Sequence, residues 1–317
     1  MHEMRWHPLQ KEWVIIAAHR QGRPMMPKNF CPFCKGAEEI PEVFDVLALP
    51  NKFASLQEDA KKIEDTGDEL YKKRSAYGAC EVIVYTSEHD ATLKSQPVEH
   101  IRKVIDLWDK RYKELGAKKE IEYVFEFENK GAAIGVTLPH PHGQIYVFPF
   151  VPPKIQNELN SAKEYYGEKK KCIFCEILEK ERKAAPSRIV CENEQFVAFI
   201  PFYARLPYEI HLYPKRHVQS VSQLTGKERD ALAAMLKDII SRYDSVFGFE
   251  LPYMMMLFQE PTDGKKHEYF HFHIEFRPMH RSKDKLKFLA SVESGAGNFI
   301  NDTSPEEKAK ELRDAKI

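Results

Sequence analysis

The strongest constraint in this sequence is a pattern that occurs twice in the same order. Cys31-Pro-Phe-Cys34 is followed by Glu81, Tyr85 and His89, and then by His140-Pro-His142. Cys172-Ile-Phe-Cys175 is followed by Glu209, Tyr213 and His217, and then by His271-Phe-His273. The Glu, Tyr and His partners are each 128 residues apart, and the His-x-His motifs are 131 apart. Landmarks that recur at near-constant spacing predict one structural unit used twice. With 317 residues the chain is long enough for one large or two ordinary domains. The lysine-rich segment 157–171 is expected as a solvated helix or linker between the halves, giving domains 1–165 and 166–317.

Each half reads as a Cys-x-x-Cys, a strand ending in His, a long helix, a strand and a His-x-His. Pro97 can open a helix in which Ile101, Val104, Ile105, Trp108, Tyr112 and Leu115 recur at helical spacing until Gly116. Thr225-x-x-Glu228 is a capping box ahead of Leu232, Leu236, Ile239, Ile240, Tyr243 and Phe247, with Gly248 as the stop. Strands are expected over 121–128, 145–150 and 196–200. The predicted fold is α+β: two halves, each a mainly antiparallel sheet carrying one long helix, in a pseudo-symmetric molecule.

In a reducing cytosol a Cys-x-x-Cys pair is half a zinc site or a redox dithiol, with a structural disulfide the weakest reading. Each pair here has histidines far downstream, and a tetrahedral Cys2His2 site can draw imidazoles from distant strands. The predicted ligand sets are Cys31, Cys34, His89 and His140, and Cys172, Cys175, His217 and His271. A duplicated core of packed histidines is the competing reading. Cys80 and Cys191, beside apolar runs, read as packing residues.

The first His-x-His concentrates what nucleophilic catalysis needs. In an extended segment His142 and Gln144 share a face, and Gly143 lets a ligand approach the backbone. An imidazole held through one nitrogen presents the other as a nucleophile near neutral pH. His142 is therefore the candidate nucleophile, although a His-x-His on a strand binds metal about as often as it catalyses. Composition narrows the substrates: 48 Lys+Arg balance 48 Asp+Glu, which argues against coating nucleic acid or an anionic membrane. No apolar run approaches a membrane span and the start lacks a secretory apolar stretch, so a cytoplasmic protein is expected.

Phe127-Glu-Asn-Lys-Gly-Ala-Ala133, followed by Pro139-His-Pro-His-Gly-Gln144, closely resembles the signature of the galactose-1-phosphate uridylyltransferase family of the histidine-triad superfamily. The resemblance runs from Arg5-Trp6-x-Pro8-Leu9 and His19-Arg20, through Cys31/Cys34, to Pro214-Lys215-x-His217 and His271-x-His273. It implies ping-pong exchange: a histidine at position 142 attacks the α-phosphorus of UDP-glucose, releases glucose 1-phosphate, and passes the uridylyl group to galactose 1-phosphate. Gln144 matches a glutamine that hydrogen-bonds the nucleotide phosphate, where hydrolase relatives carry a third histidine. A departing sugar phosphate is a stable anion that needs no proton, so glutamine suits a transferase.

The resemblance also implies a structural zinc on Cys31, Cys34, His89 and His140, and a homodimer. It assigns substrate contacts to Arg20 and Arg23 (phosphates), Asn51 and Phe53 (uridine), Asn129 and Thr137 (phosphates), and Lys287, Glu293 and Asn298 (sugar). Thr137 stands where the best-known bacterial members have Ser. The family's iron ligands match Glu158, Phe258, His271 and His273, and Phe258 cannot ligate. The repeated Cys172, Cys175, His217 and His271 set therefore predicts a second zinc, with iron the weaker option. Lys52 replaces an acid of the bacterial enzymes. The alternative activities are an adenylyl-transferring ADP-glucose phosphorylase and a non-catalytic, zinc-stabilised nucleotide-binding protein.

Overall fold

The computed structural model describes residues 2–22 and 30–317, so Arg23 lies outside the described residues. The first half contributes β1 (His2–His7), β2 (Glu12–Ala17), β3 (Leu47–Pro50), β4 (Lys73–Ser75), β5 (Ala79–Val84), α1 (Val98–Gly116), β6 (Tyr123–Lys130) and β7 (His142–Phe148). Two helices follow, α2 (Pro153–Lys169) and α3 (Ile173–Lys183). The second half then adds β8 (Ile189–Glu192), β9 (Phe196–Phe199), β10 (Ile210–Pro214), α4 (Gly226–Phe247), β11 (Tyr253–Phe258) and β12 (His273–Pro278). The chain ends with β13 (His280–Ser282), β14 (Lys285–Leu286) and α5 (Pro305–Arg313).

Among the described residues, nine strands form one antiparallel sheet in the order β3-β5-β7-β6-β11-β12-β10-β9-β8. Its centre is the β6–β11 ladder, which pairs Glu128 with Met255 and Lys130 with Tyr253. From that ladder the order repeats outward, β7-β5-β3 on one side and β12-β10-β9 on the other. The duplicated α+β architecture expected from the repeat is thus built as one sheet with a pseudo-two-fold axis at its middle.

Helices α1 and α4 form where local signals place them. Thr225 Oγ1 accepts from the Glu228 N–H at 3.3 Å, Glu228 Oε2 accepts from the Thr225 N–H at 2.8 Å, and Gly248 ends α4 at φ 76°. Both helices bury their apolar stripes on one face of the sheet, against Ile83, Ile145, Leu212 and Ile274. Each fully buried side chain of this kind contributes about 1.5–3 kcal/mol. On the opposite face α2 and α3 cover the second half with Phe174, Phe199, Tyr213, Phe258 and Phe270. The polar segment around 157–171 is mostly α2, anchored by Ile155, Leu159 and Ala162.

The structure shifts some expected boundaries. The strand expected from 145 begins at His142, directly after Pro141, which has no N–H for the ladder. His140 and His271 therefore lie just before β7 and β12 rather than on them. His89 and His217 lie beyond the ends of β5 and β10, on loops. Among the described residues no helix is long and apolar enough to cross a membrane.

Candidate active site and metal centres

In the first half the Cys31–Cys34 turn is closed by the Cys34 N–H donating to the Cys31 carbonyl at 3.3 Å. Cys34 Sγ lies 3.2 Å from His89 Nδ1 and 3.6 Å from His140 Nδ1, and Cys31 Sγ lies 3.7 Å from His140 Nδ1. In the second half Cys172 caps α3, with Cys175 in its first turn. Cys175 Sγ lies 3.2 Å from His217 Nδ1 and 3.3 Å from His271 Nδ1. In each set the four donor atoms lie within 4.8 Å of one another. A tetrahedral ion about 2.3 Å from sulfur and about 2.0–2.1 Å from nitrogen gives a sulfur–nitrogen edge of about 3.5 Å. Both sets fit such an ion.

Three of the four remote ring nitrogens are held in the way that suits a metal ligand. His140 Nε2 donates to the Thr86 carbonyl at 2.8 Å, His271 Nε2 to Pro214 at 3.1 Å and His217 Nε2 to Glu268 at 3.0 Å. Each bond fixes the tautomer that turns the Nδ1 lone pair toward the cysteines.

His142 opens β7 two residues beyond His140. Its Nδ1 donates to the His140 carbonyl at 2.7 Å, which leaves the lone pair on Nε2. Phe33, inside the Cys-x-x-Cys loop, packs its ring 5.1 Å from that of His142 and 6.0 Å from that of His140. The Cys31–Cys34 loop and the candidate nucleophile are therefore mechanically joined. Gly143 is required at close quarters, since a Cβ there would stand 2.3 Å from Tyr85 Oη. Along β7 the half-buried His142, Gln144 and Tyr146 alternate with the buried Gly143, Ile145 and Val147. A cleft of about 370 Å³ is lined by His142, Asn129, Leu138, Glu128, Lys130 and Glu250, among others.

The second half repeats this arrangement and closes it. His273 Nδ1 donates to the His271 carbonyl at 2.9 Å, and Phe174 lies 5.3 Å from His273, as Phe33 does from His142. Here, however, Phe258 pairs with His273 across the ladder and stacks on it at 4.8 Å with an interplanar angle of 3°. The β6–β7 register runs as far as Phe127 opposite Gln144; two residues further along, beyond that pairing, stand Asn129 and His142. An aromatic plug thus takes the place of an amide, and Glu275 the place of Gln144. His273 is only 2% exposed, and burial pushes its pKa down to about 3. Nearby, Glu209, His211 and Glu275 form a third group of metal-capable side chains. Arg277 pairs with Glu275, and Lys154 Nζ lies 3.7 Å from Glu275, so cations already balance these carboxylates. Glu158 lines the small cavity beside them, about 150 Å³, and burial pushes its carboxyl up to about 7.

Other candidates divide by place. Arg20 Nη1 donates to Tyr146 Oη at 3.0 Å and Ser55 Oγ at 3.2 Å, which sets it beside the β7 face that carries Gln144. Asn51 Oδ1 accepts from the Phe53 N–H at 2.9 Å, and Lys52 pairs with Glu39 at 3.3 Å. Thr137 is half-buried on the segment leading to His140. Lys287 Nζ pairs with Glu293 at 2.8 Å, and Asn298 is exposed. These three tail residues are outside the described lining of the cleft. Sequence reasoning did not single out Glu128, Lys130 or Glu250. The first two sat inside a quoted motif, and Glu250 carried no local signal.

Comparisons with known proteins agree across the chain. The family descriptions "Galactose-1-phosphate uridyl transferase, N-terminal domain" and its C-terminal counterpart match residues 1–152 and 158–316. A relative from Thermotoga maritima, "Galactose-1-phosphate uridylyltransferase", is 43% identical over 100% of this chain and 99% of its own length. A solved structure described as "Structure of uridylyltransferase" superposes with a TM-score of 0.90 at 37% identity, covering 98% of this chain and 97% of that one. An ADP-glucose phosphorylase from Arabidopsis thaliana with bound ADP-glucose superposes at 0.78 with 25% identity, covering 99% of each.

Proposed function

Because the chain belongs to the galactose-1-phosphate uridylyltransferase family, we propose that His142 is the nucleophile of its uridylyl transfer. The enzyme is a nucleotidyltransferase acting on hexose 1-phosphates. His142 Nε2 attacks the α-phosphorus of UDP-glucose, the bond to the departing phosphate oxygen breaks, and glucose 1-phosphate leaves as an anion. The new N–P bond makes the imidazole cationic, and the Nδ1–H bond to the His140 carbonyl stabilises that charge. Galactose 1-phosphate then attacks the same phosphorus, the N–P bond breaks, and UDP-galactose leaves. Gln144, on the same face of β7, donates its amide to a phosphate oxygen. Asn129 and Thr137 approach the phosphates, Arg20 and Arg23 supply cationic donors, and Asn51 and Phe53 hold the base. Lys287, Glu293 and Asn298 act on the sugar.

The observation that carries this reading is the contrast between the halves: a tautomer-locked histidine on a cleft in one, the same histidine stacked under Phe258 in the other. Thiolate plus imidazole donors favour zinc in both four-residue sets, with iron the weaker option in the second. Bound zinc would supply a rigid four-donor clamp that fixes the Cys31–Cys34 loop, and with it Phe33, against His142. We further take the functional division as 1–165 and 166–317, the working form as a homodimer and the compartment as the cytoplasm. The test is to incubate the protein with UDP-glucose or ADP-glucose without acceptor and to weigh the intact chain. A uridylate adduct on His142 is expected. An adenylate adduct alone would move the assignment to the adenylyl-transferring relative, and no adduct would sink both.

A further inference from the structure

We propose that Tyr146, together with Ser55, is a positioning residue that aims the Arg20 guanidinium at the substrate phosphates, a reading that rests on the phosphate contact assigned to Arg20 and the transfer assigned to His142. Tyr146 is the third member of the row that His142 opens on β7, two residues beyond Gln144 on the same half-buried face. Its ring is wedged among aromatic neighbours, 5.4 Å from Phe127 and 6.3 Å from Phe148, while its hydroxyl accepts from Arg20 Nη1 at 3.0 Å. Ser55 Oγ accepts from the same nitrogen at 3.2 Å. Ser55 is 6% exposed and is itself fixed, its carbonyl accepting from His2 Nε2 at 2.6 Å. The adjoining Ala54 carbonyl accepts from His19 Nε2 at 3.0 Å, which ties the segments that carry Arg20 and Ser55 to each other.

The chemistry of the partners marks this arginine. Other half-buried arginines of the chain face carboxylates: Arg111 pairs with Glu81, Arg188 with Glu181, Arg229 with Asp109 and Arg242 with Asp238. A guanidinium paired in that way has its charge offset and its donors engaged. Arg20 has no carboxylate partner among the described residues and is held by two neutral hydroxyls. Neutral acceptors orient the group and leave its charge for an anion. They also select the edge that stays open. Nη1 carries two protons, and the two hydroxyls engage both, so the protons on Nε and Nη2 remain. Those lie side by side on one edge of the guanidinium, the fork that matches two oxygens of a phosphate. Anchoring at position 146 builds that fork onto the strand that carries His142 and Gln144.

The experiment is a double-mutant cycle on the first half-reaction. Protein is mixed with UDP-glucose without acceptor, and the second-order rate constant for the uridylate adduct is read from intact mass against time. Tyr146→Phe removes the hydroxyl and keeps the ring, and should lower that constant about 3- to 10-fold. Adding Ser55→Ala should bring the loss to about 10- to 100-fold. Arg20→Gln should cost at least as much as that pair, and in its background Tyr146→Phe should change the constant less than twofold. A residue that merely supports the fold would lower the rate by the same factor in both backgrounds, and that result overturns the proposal. So does a Tyr146→Phe constant within twofold of the unaltered protein's. Tyr146→Phe alone completes the cycle if the buried Ser55→Ala variant does not fold. Arg20→Gln loading as fast as the unaltered protein overturns the aiming of Arg20 and leaves the transfer standing. Unaltered protein that takes up no uridylate removes the transfer, and this proposal with it.

Discussion

An imidazole in water divides its proton between two nitrogens, and at position 142 the backbone removes that choice. The His140 carbonyl accepts a hydrogen bond from Nδ1 at 2.7 Å, so the lone pair that the proposed attack would use resides on Nε2. His142→Gly should lower exchange by about 10⁴-fold or more while leaving nucleotide binding in place, and free imidazole should restore part of the rate. Steady-state exchange and equilibrium binding measured on one preparation check this, and equal loss of both would assign His142 a structural role. A second residue-scale effect concerns Glu128, whose carboxyl burial pushes up from 4.5 to about 7. The folded chain holds that proton more tightly than the unfolded one. The stabilisation is therefore complete below about pH 4.5 and is lost as pH rises through about 7, a change of about 3 kcal/mol. Glu128→Gln should flatten this part of the stability profile in urea titrations between about pH 5 and 8. An unaltered slope would mean that the carboxyl is already ionised.

At the scale of elements, what could be read early and what could not follows from how local each signal is. The start of α4 was legible because a capping box involves residues three apart, and its end because Gly248 adopts φ 76°. The start of β7 was not, since a strand begins where its neighbours supply partners, and those lie on β5 and β6. Gly143 shows the same dependence. Its role as a place for ligand approach was expected, but the contact that demands glycine is Tyr85 Oη from the neighbouring strand end. Gly143→Ala should destabilise the fold by about 1–3 kcal/mol in urea unfolding. Adding Tyr85→Phe should recover part of that, because the hydroxyl is the nearest clashing atom. No recovery would place the clash elsewhere.

At the scale of the molecule, the halves are joined by the β6–β11 ladder and by a charged contact between α1 and α4. Arg229 Nη1 meets Asp106 at 2.9 Å and its Nη2 meets the buried Asp109 at 2.8 Å. Lys113 and Ser222 also hold Asp109, so Arg229→Ala should cost near the lower end of the ~3–5 kcal/mol typical of broken buried pairs, read by thermal unfolding. Metal content tests the two four-residue sets together. Elemental analysis should find two zinc per chain, and removal by a chelator should lower both the unfolding temperature and the exchange rate. One zinc per chain would eliminate the second site.

The sequence by itself determined the duplication, the long helices, the membership of the two Cys/His groups and the singularity of the His-Pro-His-Gly-Gln segment. These are carried by residue type and spacing along the chain. Only the tertiary structure decided that the two halves share one sheet and that the second histidine motif is plugged. It also decided that Glu128, Lys130 and Glu250 meet on the wall of the cleft. The physical reason is that ladder pairing, aromatic stacking and desolvation depend on neighbours that are not adjacent in the chain, as with Phe258 and Phe174 around His273, or Glu250 beside Lys130. A chain read in order carries no record of those distances.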